Sequence, residues 1–323
     1  MYEDFYDFRE RPFDLTPNPK YLVLTAGHQE ALSNLNYAIT SRKGIALLVG
    51  EAGAGKTTVI RTAIERQPTR VHYVHLHNPA LTRNEFVEML ATRFELSAKA
   101  GESKTALLLE LERLLFERRS KGETTLLIID EAQSLSSELL EEIRLLANIE
   151  TNEEKLLTLI IAGQPEIAEH LNKPELRQLK QRIALRCELP ALQLRETIAY
   201  IAGRIRAAGG VGAQVFTREA VMSIHELSRG IPRTINVLCD NALISGFAMQ
   251  QRPVTRQLVL DVCRDFDLDG ARSPSPVAAG LPVEAPTRAD EPAPGVEPRL
   301  LTLQLPDEQP DDERTPLRAR IGG

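Results

Sequence analysis

The chain has only three cysteines in 323 residues, and its positive charges do not outnumber its negative ones. It also lacks any apolar run near the ~20 residues that a membrane-crossing helix needs. Each shortage excludes something. Cys187, Cys239 and Cys263 are odd in number, far apart and set in apolar helical or strand patterns, which predicts three reduced, packed thiols rather than a disulfide framework. Lys and Arg total 39 against 45 Asp and Glu, a net charge of −6. The molecule as a whole therefore has no electrostatic bias toward nucleic acid or anionic lipid, although a local basic face stays open. The opening residues, MYEDFYDFRERPF, are acidic and aromatic, unlike a secretory leader. A cytoplasmic protein without a transmembrane segment is expected. Hydrophobic residues make up 42% of the chain, enough for two folded units and a tail.

The strongest signal is LLVGEAGAGKTT at Leu47 to Thr58. Gly50, Gly55, Lys56 and Thr57 make G-x-x-x-x-G-K-T between an apolar run and a helical pattern, the context a phosphate-binding loop requires. Its glycines free the backbone to take left-handed angles and turn N–H groups inward, and the next helix points its positive end at the same place. Gly50, Glu51, Ala52, Gly53, Ala54, Gly55, Lys56, Thr57 and Thr58 are accordingly the predicted polyphosphate site. Lys56 is expected to reach the β and γ phosphates and Thr57 to hold Mg²⁺.

A second signal lies downstream. TTLLIID, Thr124 to Asp130, is apolar throughout, like a strand buried on both faces of a parallel sheet. Acidic residues at the carboxyl end of such a strand stand where open α/β sheets bind ligands. Asp130 is expected to serve the Mg²⁺ shell through water, and Glu131 to orient and polarise the attacking water. Gln164, after the apolar run Leu156 to Ala162, is expected either between the γ-phosphate and that water or as a cap of the helix after Pro165. His72, His75 and His77 invite a metal reading, which is set aside because no Cys or carboxylate lies near them at a recognisable spacing.

Periodicity predicts helices over 28–42, 56–66, 84–94, 104–119, 136–149 and 175–182, with strands at 71–76 and 184–189. Five strands with interleaved helices predict a doubly wound α/β domain over 28–190. Helical patterns alone follow, at 195–208, 217–229, 231–250 and 255–266, and predict a small all-helical lid domain over 191–268. Thr217 reads as an N-cap without a capping box, since Ala220 stands where Glu or Gln is needed. Residues 1–27, rich in aromatics and interrupted by Pro12, Pro17 and Pro19, predict an extended arm over the nucleotide site. Its rings serve either core packing or, at Pro12, Phe13 and Leu15, an apolar slot for a base. Residues 269–323 hold half of the 20 prolines and predict a disordered, acidic tail. Within the tail, 299–305 could add a strand to a partner sheet.

Several segments together carry a resemblance: FYDFRERPFDLTPNPKYL, HQEALSNLNYAI, RKGIALLVGEAGAGKTT, LLIIDEAQ, AGQPE, PELRQLKQRIALRCELPAL and SRGIPRTINVLCDNAL. Over about residues 1–268 the chain resembles AAA+ ATPases of the ExeA, or general secretion pathway A, type. The resemblance implies a P-loop NTPase fold with a five-stranded parallel sheet. It implies ATP phosphates on Gly50 to Thr58, Mg²⁺ at Thr57 and Asp130, and a catalytic carboxylate at Glu131. Gln164 matches the sensor-1 position, where Asn or Thr is commoner. Arg182 matches an arginine finger acting on ATP bound by a neighbouring subunit, which implies a homo-oligomer with nucleotide at its interfaces. Arg233, in Gly-Ile-Pro-Arg, matches sensor 2.

Secretion-type members continue past the lid through a membrane helix to a peptidoglycan-binding domain, where this sequence has its Pro-rich tail. The expected role is a cytoplasmic motor or switch, peripheral to the inner membrane, serving envelope secretion or polysaccharide export. The alternative is an ATP-dependent DNA-binding regulator of the transposition-helper or initiator kind, with Arg195, Arg204, Arg206, Arg218 and Arg229 as a basic face.

Overall fold

The computed structural model describes residues 1–15, 25–68, 70–77 and 81–265. Strands β1 (Ile45–Gly50), β2 (Val71–Leu76), β3 (Thr124–Ile129), β4 (Thr158–Gly163) and β5 (Ile183–Leu189) form one parallel sheet in the order β2-β3-β4-β1-β5. The three central strands are buried at every position, while β2 and β5, at the edges, alternate. Runs such as LLII have no polar side to give to water, so they are stable only when helices cover both faces.

Alternation along each strand divides the core. Ile45, Leu47 and Val49 join one hydrophobic cluster, and Ala46 and Leu48 join the other. The first cluster packs beneath α3 (Arg83–Arg93), α5 (Lys104–Ser120) and α6 (Ser137–Leu146), with the short α4 (Ala98–Glu102) beside α3. The leucine stripe of α5 is core, as its spacing predicts: Leu107, Leu111 and Leu115 are buried, and Leu108 and Leu114 pack at the margin. The second cluster lies under α1 (Ala26–Thr40) and α2 (Lys56–Glu65). Between β4 and β5 come α7 (Glu166–His170) and α8 (Arg177–Arg182), the latter led in by a 3-10 turn at Pro174–Leu176.

Helices alone follow β5: α9 (Leu194–Ala207), α10 (Gly212–Val215), α11 (Arg218–Ser228), α12 (Pro232–Ala248) and α13 (Arg256–Asp265). A capping box of Gln193 and Glu196 opens α9. Thr217 accepts from the Ala220 amide at the start of α11 without a box. All three cysteines are buried, and none forms a disulfide.

The aromatic arm departs from the extended form expected of it. Residues Asp4–Tyr6 make a 3-10 turn, and Tyr2, Tyr6, Phe8 and Phe13 belong to the same buried cluster as α9, α11, α12 and α13. Tyr2 donates to Asp240 at 2.5 Å, and Arg252 donates to the Phe5 carbonyl at 2.8 Å. Gly246 on α12 admits the Tyr6 ring, since a Cβ there would stand 2.3 Å from its hydroxyl. Four rings in one short segment cannot be left in water, and the helices after β5 give them cover. The tail expected at 269–323, its segment 299–305, and arm residues 16–24 lie outside the described residues.

Candidate nucleotide site

The parallel sheet brings the carboxyl ends of β1, β3 and β4 to one edge. Gly50 ends β1, Asp130 follows β3 and Gln164 follows β4. β4 separates β1 from β3, so about 10 Å, two strand spacings, lies between the loop's origin and the acidic pair. The first turn of α2 closes that gap: Thr57 donates its hydroxyl to Asp130 Oδ2 at 2.8 Å.

Residues Gly50 to Gly55 turn back on themselves, with the Ala54 amide donating to the Glu51 carbonyl at 3.0 Å. Gly53 and Gly55 have φ of 81° and 100°, left-handed values that cost little only without a Cβ. Glu51 and Ala52 are exposed, while Ala54 and Lys56 are buried. Thr58 extends the helix, its carbonyl accepting from Thr62 at 2.9 Å. Lys56 Nζ donates to the carbonyls of Gly50 at 2.8 Å and Glu51 at 3.1 Å. Burial pushes its pKa down, against the upward pull of Glu131 and Asp130. An ammonium has three donors, and this one sits on two neutral carbonyls within a left-handed glycine loop. A polyphosphate suits that cradle. Thr57 and Asp130 supply hydroxyl and carboxylate oxygens, the hard donors that Mg²⁺ selects; these residues fit the ion.

Asp130 is held below its ordinary pKa. Burial works against this, but contacts from His75, Thr57 and the Glu131 amide outweigh it. The Glu131 amide reaches Asp130 Oδ1 at 3.1 Å. His75 Nε2 stands 3.5 Å from Oδ2, an ion-pair separation outside hydrogen-bond geometry, and has no hydrogen-bond partner.

Glu131 has φ 54° and ψ 38°, an uncommon left-handed conformation for a residue other than glycine, and one that collects at functional sites. Two amides hold its carboxylate: Gln133 Nε2 donates to Oε2 at 2.6 Å, and Gln164 Nε2 approaches the same oxygen at 3.4 Å. Gln133 also accepts from the Gln164 backbone at 3.0 Å. Gln164 therefore meets Glu131 directly.

The two predicted arginines lie apart. Arg233, exposed at the start of α12, donates its backbone amide to the Gly53 carbonyl at 3.2 Å. Arg182, exposed at the end of α8, directly precedes Ile183, the partner of Ile45. The loop follows Gly50, the partner of Leu189. In a parallel pair this puts Arg182 at the opposite end of the sheet from its own loop, about 20 Å away.

Sequence reasoning missed three contributors. His28 on α1 reaches the loop: its Nε2 would stand 3.4 Å from a Cβ on Gly55, and Thr25 Oγ1 lies 2.8 Å from its Nδ1. Nothing in its flanking residues marks it. Gln133 belongs to a recognised motif, yet its role as a clamp depends on where Gln164 falls. Setting aside a metal reading for the strand histidines on the ground that no carboxylate accompanied them needs correction, because β2–β3 pairing carries Asp130 to His75. Arg204 also departs from the basic face expected of it. It is buried, stacks near Phe13 and Tyr200, and donates to the carbonyls of Pro12 at 2.6 Å and Asp14 at 3.1 Å. Arg195, Arg206, Arg218 and Arg229 are exposed.

Known proteins share this organisation. A family profile described as AAA domain matches residues 39–171. General secretion pathway protein A of Aeromonas hydrophila is 41% identical over 248 residues, 77% of this chain and 45% of that protein, so the chain spans less than half of the relative's length. Among solved structures, the Aeropyrum pernix ORC1 protein in complex with DNA aligns with TM-score 0.61 at 18% identity, over 80% of this chain and 70% of that one. The Aeropyrum pernix ORC2 protein aligns with TM-score 0.60 at 20% identity, over 79% and 71%. At such identities these two show the fold. Together with the loop, the acidic strand end and the helical segment after β5, the shared sequence establishes that the chain belongs to the AAA+ family, in the type represented by general secretion pathway protein A.

Proposed function

We propose that the chain binds ATP with Mg²⁺ at Gly50 to Thr58 and hydrolyses it to ADP and phosphate. The hydrogen bond from Thr57 to Asp130 carries this reading, because it joins the phosphate loop and the acidic strand end beside a buried lysine. Lys56 exchanges its two carbonyls for phosphate oxygens. Thr57 and Asp130 would hold the Mg²⁺ ion, which would supply charge neutralisation to the polyphosphate. Glu131, released from Gln133 and Gln164, turns to the attacking water and polarises it, and Gln164 steadies that water against the γ-phosphate. Charge developing on the phosphoryl group meets Arg233 from the helical segment 191–268, acting as a lid over the 28–190 domain, and Arg182 from a second copy. The separation of Arg182 from its own loop supports action across an interface, and hence a homo-oligomer.

The 41% identity to a general secretion pathway protein supports a motor or switch of an envelope secretion or polysaccharide-export system, in the cytoplasm and peripheral to the inner membrane. Among the described residues no helix is long and apolar enough to cross a membrane. For the arm of residues 1–27, the burial of Pro12 and Phe13 supports core packing over a base slot. Phosphate release by wild type, Glu131→Gln and Arg182→Ala tests the chemistry, and equal turnover in all three removes it. Cells with Glu131→Gln as their sole copy should fail to deliver an envelope cargo; normal delivery removes the context. Tight, salt-sensitive binding of duplex DNA by the ATP-loaded protein would favour the DNA-regulator reading instead.

A further inference from the structure

His75 in β2 and His77, one residue past its end, are two positions apart, the spacing that puts side chains on one face of a strand. Their rings lie 3.7 Å apart between centroids. One ligand atom from each, with one from Asp130, falls in a group whose members are all within 4.8 Å of one another. His75 Nε2 is buried and makes no hydrogen bond, facing the Asp130 carboxylate instead. Its 3.5 Å from Asp130 Oδ2 matches the about 3.4 Å edge of a tetrahedron with metal–ligand bonds near 2.1 Å. His77 is exposed, so its ring is free to close the remaining distance. His72 is not involved, being bonded to Glu123 at 2.8 Å.

We propose that His75, His77 and Asp130 form a binding site for a zinc-like divalent transition-metal ion, with open positions for water. Imidazole nitrogens favour Zn²⁺, Co²⁺ or Ni²⁺ over Mg²⁺, which takes oxygen donors. Thr57 and the Glu131 amide orient the Asp130 carboxylate, the outer support that ligating carboxylates need. An ion here engages the oxygen atom that Thr57 bonds and withdraws Asp130 from the neighbouring oxygen-donor site. The site is thus inhibitory toward the hydrolysis proposed above, a consequence that rests on that reading; the binding itself does not.

The test uses the untagged full-length chain without nucleotide, titrated with Co²⁺ by visible absorption and with Zn²⁺ by calorimetry. One equivalent should bind, with d–d bands of a nitrogen-ligated ion. His77→Ala, at an exposed position, and His75→Gln, which keeps a polar side chain, should each weaken Zn²⁺ by about tenfold or more, and the double variant should abolish the bands. His72→Ala should bind as wild type does. No binding, binding that survives the double variant, or binding that His72→Ala abolishes would each overturn the site.

Discussion

The backbone amide of Arg233 donates to the carbonyl of Gly53 at 3.2 Å, and the Arg233 side-chain carbons lie against the space where a Gly53 Cβ would be. The first turn of α12 is therefore bonded to the phosphate loop through backbone. That bond does not depend on the guanidinium. A Cβ on Gly53 would stand 2.4 Å from Arg233 Cβ, at a φ of 81°.

Gly53→Ala and Arg233→Ala should consequently differ. The first forces loop and helix apart and adds left-handed strain, of order 1–3 kcal/mol, so both unfolding free energy and nucleotide affinity should fall. The second keeps the backbone bond and removes only an exposed side chain, so stability should stay within about 0.5 kcal/mol of wild type while turnover drops. Urea unfolding and phosphate release on the same samples check both. A Gly53→Ala protein as stable and active as wild type would contradict the contact.

Lys56→Ala should remove ATP binding. The ammonium is buried and rests on two carbonyls, and truncating one partner of a desolvated charge pair costs about 2–5 kcal/mol, roughly thirtyfold or more in affinity. Calorimetry with a non-hydrolysable ATP analogue measures this, and undiminished affinity would end the loop assignment.

Arg182 cannot serve its own loop from the opposite end of β5. Arg182→Ala and Glu131→Gln should each be inactive alone and recover partial turnover when mixed, because a Glu131→Gln subunit can lend its intact Arg182 to an Arg182→Ala site. No recovery, in mixtures shown by sizing to have exchanged subunits, would refute action between copies.

The arm should be structural. Tyr6 is 0% exposed and Phe13 1%, and loss of a buried aromatic side chain to alanine costs about 3–5 kcal/mol. Denaturant midpoints of Tyr6→Ala and Phe13→Ala should drop accordingly. An unchanged midpoint in both would mean that the rings are not packed as described.

Burial holds the His28 pKa down, only partly offset by the nearby Ala54 backbone and the charge of Glu196. As pH falls below about 6.5, the unfolded chain takes up a proton that the folded chain refuses. Stability is therefore complete above that pH and declines through the interval down to the lower folded value. The slope attributable to one such histidine is at most about 1.4 kcal/mol per pH unit. His28→Gln should flatten the decline between pH 6.5 and 5 in denaturant titrations, and an unchanged slope would remove His28 from its buried position.

The sequence alone determined the sheet and the candidate phosphate loop, because both depend on neighbours along the chain. Unbroken apolar runs in β1, β3 and β4 demand two covered faces, and a G-x-x-x-x-G-K-T loop needs only the strand before it and the helix after it. The spacing of helical residues beyond Pro190 likewise announced an all-helical segment. Boundaries shifted by up to three residues, and the short α4, α7 and α10 escaped because one turn carries no periodicity.

Tertiary structure decided what depends on distant residues meeting. Thr57 crosses over β4 to Asp130, Gln133 clamps Glu131 once Gln164 arrives from β4, and Arg204, one of many arginines on paper, is buried against the carbonyls of Pro12 and Asp14. His75 gained its carboxylate in the same way, through the pairing of β2 with β3 across more than fifty intervening residues. Local patterns record which face a residue buries; strand order and register set which buried faces touch.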